Sequence, residues 1–103
     1  MRKVINNKMY DTDTAVLVAE YSNGLSFRDF KHLYEDLYIT KNGQFFLHCQ
    51  GGPLTKYCSR DGNSINGQET IILYSPKEVF EWLVEHNKVE AINLYFSDKV
   101  EEG

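Results

Sequence analysis

Positions 33–49, LYEDLYITKNGQFFLHC, decide the fold. Apolar and polar residues alternate over 33–40 and again over 44–49, as they do in half-buried strands. Between these runs, Lys41-Asn42-Gly43 has the composition of a turn. The segment therefore predicts a β-hairpin.

Two registers of this hairpin are open. A two-residue Asn42-Gly43 loop would pair Ile39 with Phe46, whereas a three-residue loop with a left-handed Gly43 would pair Ile39 with Phe45. A slip of one residue exchanges the two faces. The second register separates the side chains better, so we predict it. One face would hold Leu33, Leu37, Ile39, Phe45, Leu47 and Cys49, and the other Tyr34, Asp36, Tyr38, Phe46 and His48.

The first quarter of the chain predicts a short hairpin and then a helix. Asn6-Asn7 tolerates the left-handed turn conformation, and apolar pairs flank it. Asp11 or Thr12 is suited to cap a helix that runs to about Tyr21. The inner stripe of that helix would be Ala15, Val18 and Ala19.

The second half predicts a strand and two helices. Pro53 could open a short helical turn through Cys58, and 61–67 has the composition of a loop. The run 68–74, QETIILY, is rich in β-branched residues and predicts a strand. Ser75-Pro76-Lys77-Glu78 is a capping box for a helix to about Asn87. Its inward residues would be Val79, Phe80, Leu83 and Trp82, and a last helix would use Val89, Ile92, Tyr95 and Phe96.

Together these elements predict one domain over 1–103 of the α+β class. It would be a small two-layer domain, with an antiparallel sheet of three to five strands and helices packed on one face. A chain of 103 residues that is 42% hydrophobic can form such a core.

The sequence also indicates the cellular compartment of the protein. No apolar run approaches the ~18 residues of a membrane span, and the N-terminus lacks the apolar stretch of a signal peptide. We therefore expect a cytoplasmic protein without membrane contact. Cys49 and Cys58 would be free thiols there, with a disulfide between them as the less favoured alternative.

The net charge of −4 lies at one end of the chain. Residues 1–75 are neutral, while 76–103 hold three lysines and seven acidic residues. No basic stripe of the kind that binds nucleic acid stands out. The acidic end is either a solvated helix face or a surface that complements a basic groove.

The sequence predicts neither an enzyme nor a cofactor or metal site. His48 and Cys49 are adjacent, so in one strand they point to opposite faces and cannot form a base–nucleophile pair. The spacing of histidines and cysteines does not match a zinc site. Gly51-Gly52-Pro53 lacks the Lys-Ser/Thr ending of a phosphate-binding loop and is interpreted as a turn.

The face that carries Tyr34, Tyr38 and Phe46 is the most informative feature. Aromatic residues on an open sheet can stack on bases or anchor a protein interface. Alternatively, a helix or loop covers them, or two copies of the chain form a homodimer there.

Several segments in order resemble a family of small proteins carried by phages, plasmids and conjugative elements of low-GC Gram-positive bacteria. They are Tyr10-Asp11-Thr12-Asp13-Thr14-Ala15, the stretch 37–47, Gly51-Gly52-Pro53-Leu54-Thr55-Lys56-Tyr57 and Glu78-Val79-Phe80-Glu81-Trp82. The chain departs from the family pattern at 91–96, which is apolar where the family is acidic.

The resemblance implies an anti-CRISPR protein, because some small proteins of this kind inhibit the type II effector nuclease. Such a protein would bind the nuclease or its guide RNA in the bacterial host cell, without chemistry. The alternative is a mobile-element accessory protein that binds RNA or DNA through the aromatic sheet face. The predicted partner-binding residues are Tyr34, Asp36, Tyr38, Phe46, His48, Thr55, Lys56, Tyr57, Glu81 and Glu85.

Overall fold

An antiparallel sheet forms the centre of the molecule. The computed structural model describes residues 1–57, 59–61, 64–101 and 103, without the side chains at 59–61 and 64–66. Its elements in chain order are β1 (Arg2–Ile5), β2 (Lys8–Asp11), β3 (Val16–Ser22), β4 (Leu33–Ile39), β5 (Phe45–Gly51), β6 (Ser59–Asp61), β7 (Ser64–Asn66), β8 (Gln68–Tyr74), α1 (Pro76–Glu85) and α2 (Val89–Tyr95), followed by a 3₁₀ turn at Ser97–Lys99. In the described part of the chain, the main sheet has the order β3-β4-β5-β8.

The hairpin of β4 and β5 adopts the predicted register. Ile39 pairs with Phe45, and Tyr38 pairs with Phe46. Gly43 has φ +80°, which is the left-handed conformation that the three-residue loop requires. Leu37 and Leu47 are fully buried on the face towards the helices.

The N-terminal hairpin is confirmed, but the helix predicted after it is wrong. Asn6 and Asn7 both have positive φ, and they connect β1 to β2. Residues 16–22 form β3, which pairs with β4. The cap-like signal at Asp11 belongs instead to a turn, in which its carboxylate accepts the Asp13 N–H at 2.9 Å and its carbonyl accepts the Ala15 N–H at 3.1 Å.

The C-terminal half largely follows the prediction. The strand β8 and the capping box are confirmed: the Ser75 hydroxyl accepts the Glu78 N–H, and the Glu78 carboxylate accepts the Ser75 N–H. The last helix is present, although Val89 is exposed. Residues 53–57 form turns rather than a helix, and Cys58 lies outside the described residues. The segment 61–67, predicted as a loop, contains strand β7 and the last residue of β6, which pairs with β7. Residues 62–63 between them lie outside the described residues.

Both faces of the main sheet carry packed elements, although the second face is covered only in part. On one face α1 and α2 bury a cluster that includes Leu37, Leu47, Val79 and Leu83. On the other, the β1–β2 hairpin packs through Tyr10 onto Phe46 and Ile71. The structure is thus an α+β domain with its helices on one face of the sheet, as predicted. No helix in the described residues is long and apolar enough to cross a membrane.

Candidate partner-binding cleft

The structure brings together two of the three groups of predicted site residues. The turn at 53–57 lies beside α1, and a cleft of about 180 Å³ opens between them. Lys56 comes from the turn, whereas Glu81 and Glu85 come from the helix. The cleft is lined by Lys56, Tyr74, Glu78, Glu81, Trp82 and Glu85.

Helix geometry gives this cleft its charge. Glu81 and Glu85 lie four residues apart, so they project from the same side of α1. Both are exposed. Glu78 is on the same side, but its carboxylate is already occupied by the capping box. Glu81 and Glu85 make no hydrogen bond or ion pair with another side chain that the structure describes. Their carboxylates face the solvent at the mouth of the cleft, which favours a cationic group on whatever binds there.

Beneath the cleft lies a buried carboxylate, that of Glu35 in β4. Glu35 is only 1% exposed. The Tyr57 hydroxyl donates a hydrogen bond to Oε2 of this carboxylate, and Trp82 Nε1 donates to Oε1 at 3.2 Å. Lys56 Nζ lies 3.2 Å from Oε2, and His86 Nε2 lies 3.8 Å from Oε1.

These contacts explain how the turn is held against the helix. A buried carboxylate is tolerated only where donors and cations surround it, and here they come from the turn and from α1. Burial, followed by the hydrogen bond to Glu35, raises the pKa of Tyr57. The Tyr57 hydroxyl therefore remains a proton donor. Glu35 itself is out of reach of any ligand in the cleft, so its role is to position Lys56 and Tyr57.

Glycines allow the turn to close on itself and on the neighbouring loop. A Cβ on Gly51 would lie 2.1 Å from Thr55 Oγ1, and one on Gly52 would lie 2.4 Å from the Phe30 carbonyl oxygen. Thr55 uses its hydroxyl internally, where it donates to the Gly52 carbonyl at 2.8 Å. The conformation of this segment is thus fixed by close backbone approach that a larger residue would prevent.

The third group of predicted site residues lies on the opposite face of the sheet, away from the cleft. Phe46 is fully buried there, because the Tyr10 ring packs edge-on against it at 5.7 Å between centroids. Its assignment to a contact surface is therefore corrected to a core position. Tyr57, which belongs to the turn at 53–57, is buried as well, and its hydroxyl donates to Glu35. Tyr38 stacks on Phe46 and is half-buried.

The other residues of that face keep partial exposure. Asp36 pairs across the strands with His48, whose Nε2 lies 3.5 Å from Glu69 Oε1. Burial, followed by the nearby Glu20 carboxylate, raises the pKa of Asp36. Tyr34 stacks against Phe27 from the loop at 23–32. A contact role for Tyr34, Asp36, Tyr38 and His48 stays a prediction.

Cys49 is not an activated nucleophile. It lies opposite Glu35 on the buried face of β5, and its thiol donates to the Thr70 carbonyl at 3.5 Å. Burial is the largest of the effects that raise its pKa to about 11, so the reactive thiolate is scarce at neutral pH. Among the described residues, no three His, Cys, Asp or Glu side chains are grouped to hold a metal ion.

Fold and site together define a small α+β domain with an acidic cleft supported by a buried, fully engaged glutamate. Comparison of the chain with protein-family models, with curated proteins and with solved structures finds no match.

Proposed function

We propose that this protein is a non-enzymatic inhibitor that binds a type II CRISPR effector nuclease or its guide-RNA assembly in the bacterial cytoplasm. The acidic cleft carries the binding part of this proposal. It presents Glu81 and Glu85 as exposed carboxylates beside a turn that Glu35 holds in place. The choice of target comes from the sequence segments that resemble proteins of Gram-positive mobile elements.

Charge complementarity supports this partner. RNA-guided nucleases hold their guide and target in a positively charged channel. A rigid acidic surface that enters such a channel competes with nucleic acid for arginine and lysine side chains. Inhibition by this route needs no turnover, so one inhibitor molecule would block one nuclease.

The decisive experiment is target-DNA cleavage by a purified type II nuclease with the protein added before or after the guide RNA. A stoichiometric loss of cleavage supports the proposal, and loss only when the protein is added first indicates that guide assembly is blocked. No inhibition by the folded protein at large molar excess, across several type II enzymes, would remove the proposal.

A pair of charge-reversed variants tests the role of the cleft. The double variant Glu81→Lys/Glu85→Lys reverses the cleft, whereas Glu90→Lys/Glu101→Lys changes the net charge equally at exposed positions elsewhere. We expect inhibition to be lost in the first and kept in the second. Equal loss in both would assign the effect to net charge rather than to the cleft.

The alternative, in which RNA or DNA binds through the aromatic sheet face, loses support from the geometry. Its central ring, Phe46, is covered by the β1–β2 hairpin. A base could reach it only after that hairpin moved away.

A further inference from the structure

The loop at 23–32 exposes two aromatic rings although it is firmly held. Phe27 is 63% exposed and Phe30 is 65% exposed. Leu54, which is 59% exposed, lines a depression of about 460 Å³ with Phe30 and the neighbouring side chains. Exposed apolar side chains grouped in this way commonly mark an interaction site.

Hydrogen bonds fix this loop from both sides. Asn23 Nδ2 donates to the Lys31 carbonyl at 2.7 Å, and Asp29 accepts the Lys31 N–H on its carboxylate at 2.8 Å. From the neighbouring turn, the Leu54 N–H donates to the Phe30 carbonyl at 2.9 Å. The exposed rings are therefore presented by an ordered backbone, which lowers the entropic cost of binding.

Phe27 is the outer member of an aromatic stack. Its ring lies 4.7 Å from that of Tyr34 at an interplanar angle of 21°, and the His32 ring lies against it at 5.4 Å. The Tyr34 hydroxyl donates to the Leu25 carbonyl and so fixes the lower ring. Because 63% of Phe27 is exposed although Tyr34 and His32 lie against it, the ring is accessible to a further planar group.

The charges around this ring select the planar group. Arg28 and Lys31 are exposed beside Phe27 and Phe30, in a protein whose overall charge is −4. The one acidic side chain among them, Asp29, is engaged with the Lys31 backbone. Arg28 and Lys31 line the depression with Phe30, in the same loop that exposes Phe27. Exposed aromatic rings and cations in one loop suit a nucleobase with its phosphates, and such platforms typically bind single strands.

We propose that the 25–31 loop is a binding site for single-stranded nucleic acid. A base stacks on the exposed ring of Phe27, and the adjoining phosphates lie against Arg28 and Lys31. This surface adjoins the aromatic sheet face at Tyr34 but does not use the covered Phe46, and it is separate from the acidic cleft. The proposal does not rest on the inhibitor function, since binding to an oligonucleotide requires no nuclease.

The test is fluorescence anisotropy with labelled oligouridylate and oligothymidylate of about 20 nucleotides, and with a duplex of the same length. We expect saturable binding of the single strands and weaker binding of the duplex. The ratio between the two single-stranded probes tells RNA from DNA. No saturable binding by the folded protein, or equal binding of the duplex, would overturn the proposal.

Variants locate the site. Phe27→Ala should weaken binding on the order of 5- to 150-fold, which is the usual loss for one stacked base. Phe27→Trp should keep the affinity and show quenched emission on binding, while the buried Trp82 is unaffected. Leu94→Ala, at another highly exposed apolar position, is the matched control and should bind normally.

Salt dependence tests the phosphate contacts. Arg28→Gln and Lys31→Gln should each lower the slope of log affinity against log salt by about 0.7, whereas Lys99→Gln should leave it unchanged. Unchanged affinity in Phe27→Ala would refute stacking. If Phe27→Ala instead impairs only a protein complex, the loop is a protein contact and the proposal fails.

Discussion

Replacement of the buried Glu35 should destabilise the fold and uncouple the 53–57 turn from α1. Glu35→Leu removes the acceptor of two buried donors, the Tyr57 hydroxyl and Trp82 Nε1. Each orphaned donor costs about 1–3 kcal/mol, so the two together cost about 2–6 kcal/mol. The Lys56 side chain is 62% exposed, so its charge returns to water at little cost.

Part of this loss is offset, because the new leucine side chain gains apolar burial of about 1–2 kcal/mol. With the middle of each range, the net fall in the free energy of unfolding is about 2.5 kcal/mol, against the roughly 5–15 kcal/mol of a typical domain. Glu81→Gln, on the exposed surface of the same cleft, should change stability by less than about 0.5 kcal/mol.

A double-mutant cycle identifies the contact responsible. In the wild-type background, Tyr57→Phe removes a hydrogen bond to a charged acceptor and should cost about 1.5–3 kcal/mol. In the Glu35→Leu background the same change should cost nothing or stabilise, because it removes a hydroxyl that no longer has a partner.

Urea unfolding, followed by Trp82 fluorescence and by circular dichroism, measures all four proteins. Coincident transitions would show that unfolding is two-state and that the free energies can be compared. Two outcomes would refute the reasoning. One is a Glu35→Leu protein as stable as the wild type, and the other is a Tyr57→Phe effect of the same size in both backgrounds.

Three further predictions follow from single residues. The Cys49 thiol is buried and its pKa is raised to about 11, so it should react slowly. In a Cys58→Ser protein at pH 8, iodoacetamide should label Cys49 on the order of 100-fold more slowly in the native state than in urea. Equal labelling rates in the two states would contradict this. Gly52→Ala should lower the free energy of unfolding by about 1–3 kcal/mol, because its Cβ would clash with the Phe30 carbonyl, and an unchanged urea midpoint would show that the turn adapts. The raised pKa of Asp36 means that folding opposes its ionisation, so wild-type stability falls as the pH rises through the ordinary and then the raised pKa. Asp36→Asn should therefore stabilise the protein more at pH 7 than at pH 3, and an equal effect at both pH values in urea titrations would argue against this.

The elements predicted well from the sequence are those whose signals are local. The β4–β5 register followed from the alternation of side chains and from the left-handed Gly43, which are both confined to one hairpin. The capping box at Ser75 is local in the same way. Such signals need no knowledge of distant contacts.

The helix predicted after Asp11 is wrong because the same local signal occurs in turns and at helix N-termini. An aspartate that accepts a nearby N–H starts a turn as readily as a helix. What decides between them is the β-branched pair Val16 and Val18, together with the edge of β4 that needs a strand partner. That second cause lies some twenty residues away.

The buried Glu35 was missed for a related reason. Glu35 lies two residues after Leu33 and two before Leu37, so strand alternation places it on the same, buried face. This was the one signal for Glu35 in the sequence. Its partner Trp82 is 47 residues away, so only the folded chain shows why a charge is tolerated there. The burial of Phe46 was not predictable from its own strand either, because the β1–β2 hairpin that covers it through Tyr10 lies far from it in the sequence.

The position of the N-terminal hairpin determines when it can complete its packing as the protein is synthesised. The ribosome produces β1 and β2 before β8, yet the surface they pack against includes Ile71 of β8, and Lys3 Nζ donates to the hydroxyl of Thr70, 67 residues later. The two strands of the hairpin can pair early, but the apolar side that carries Tyr10 cannot pack against Ile71 until β8 has emerged. Although these two strands are made before β8, they reach their final packing only after it. Until then they expose the apolar side chains that chaperones recognise on a growing polypeptide.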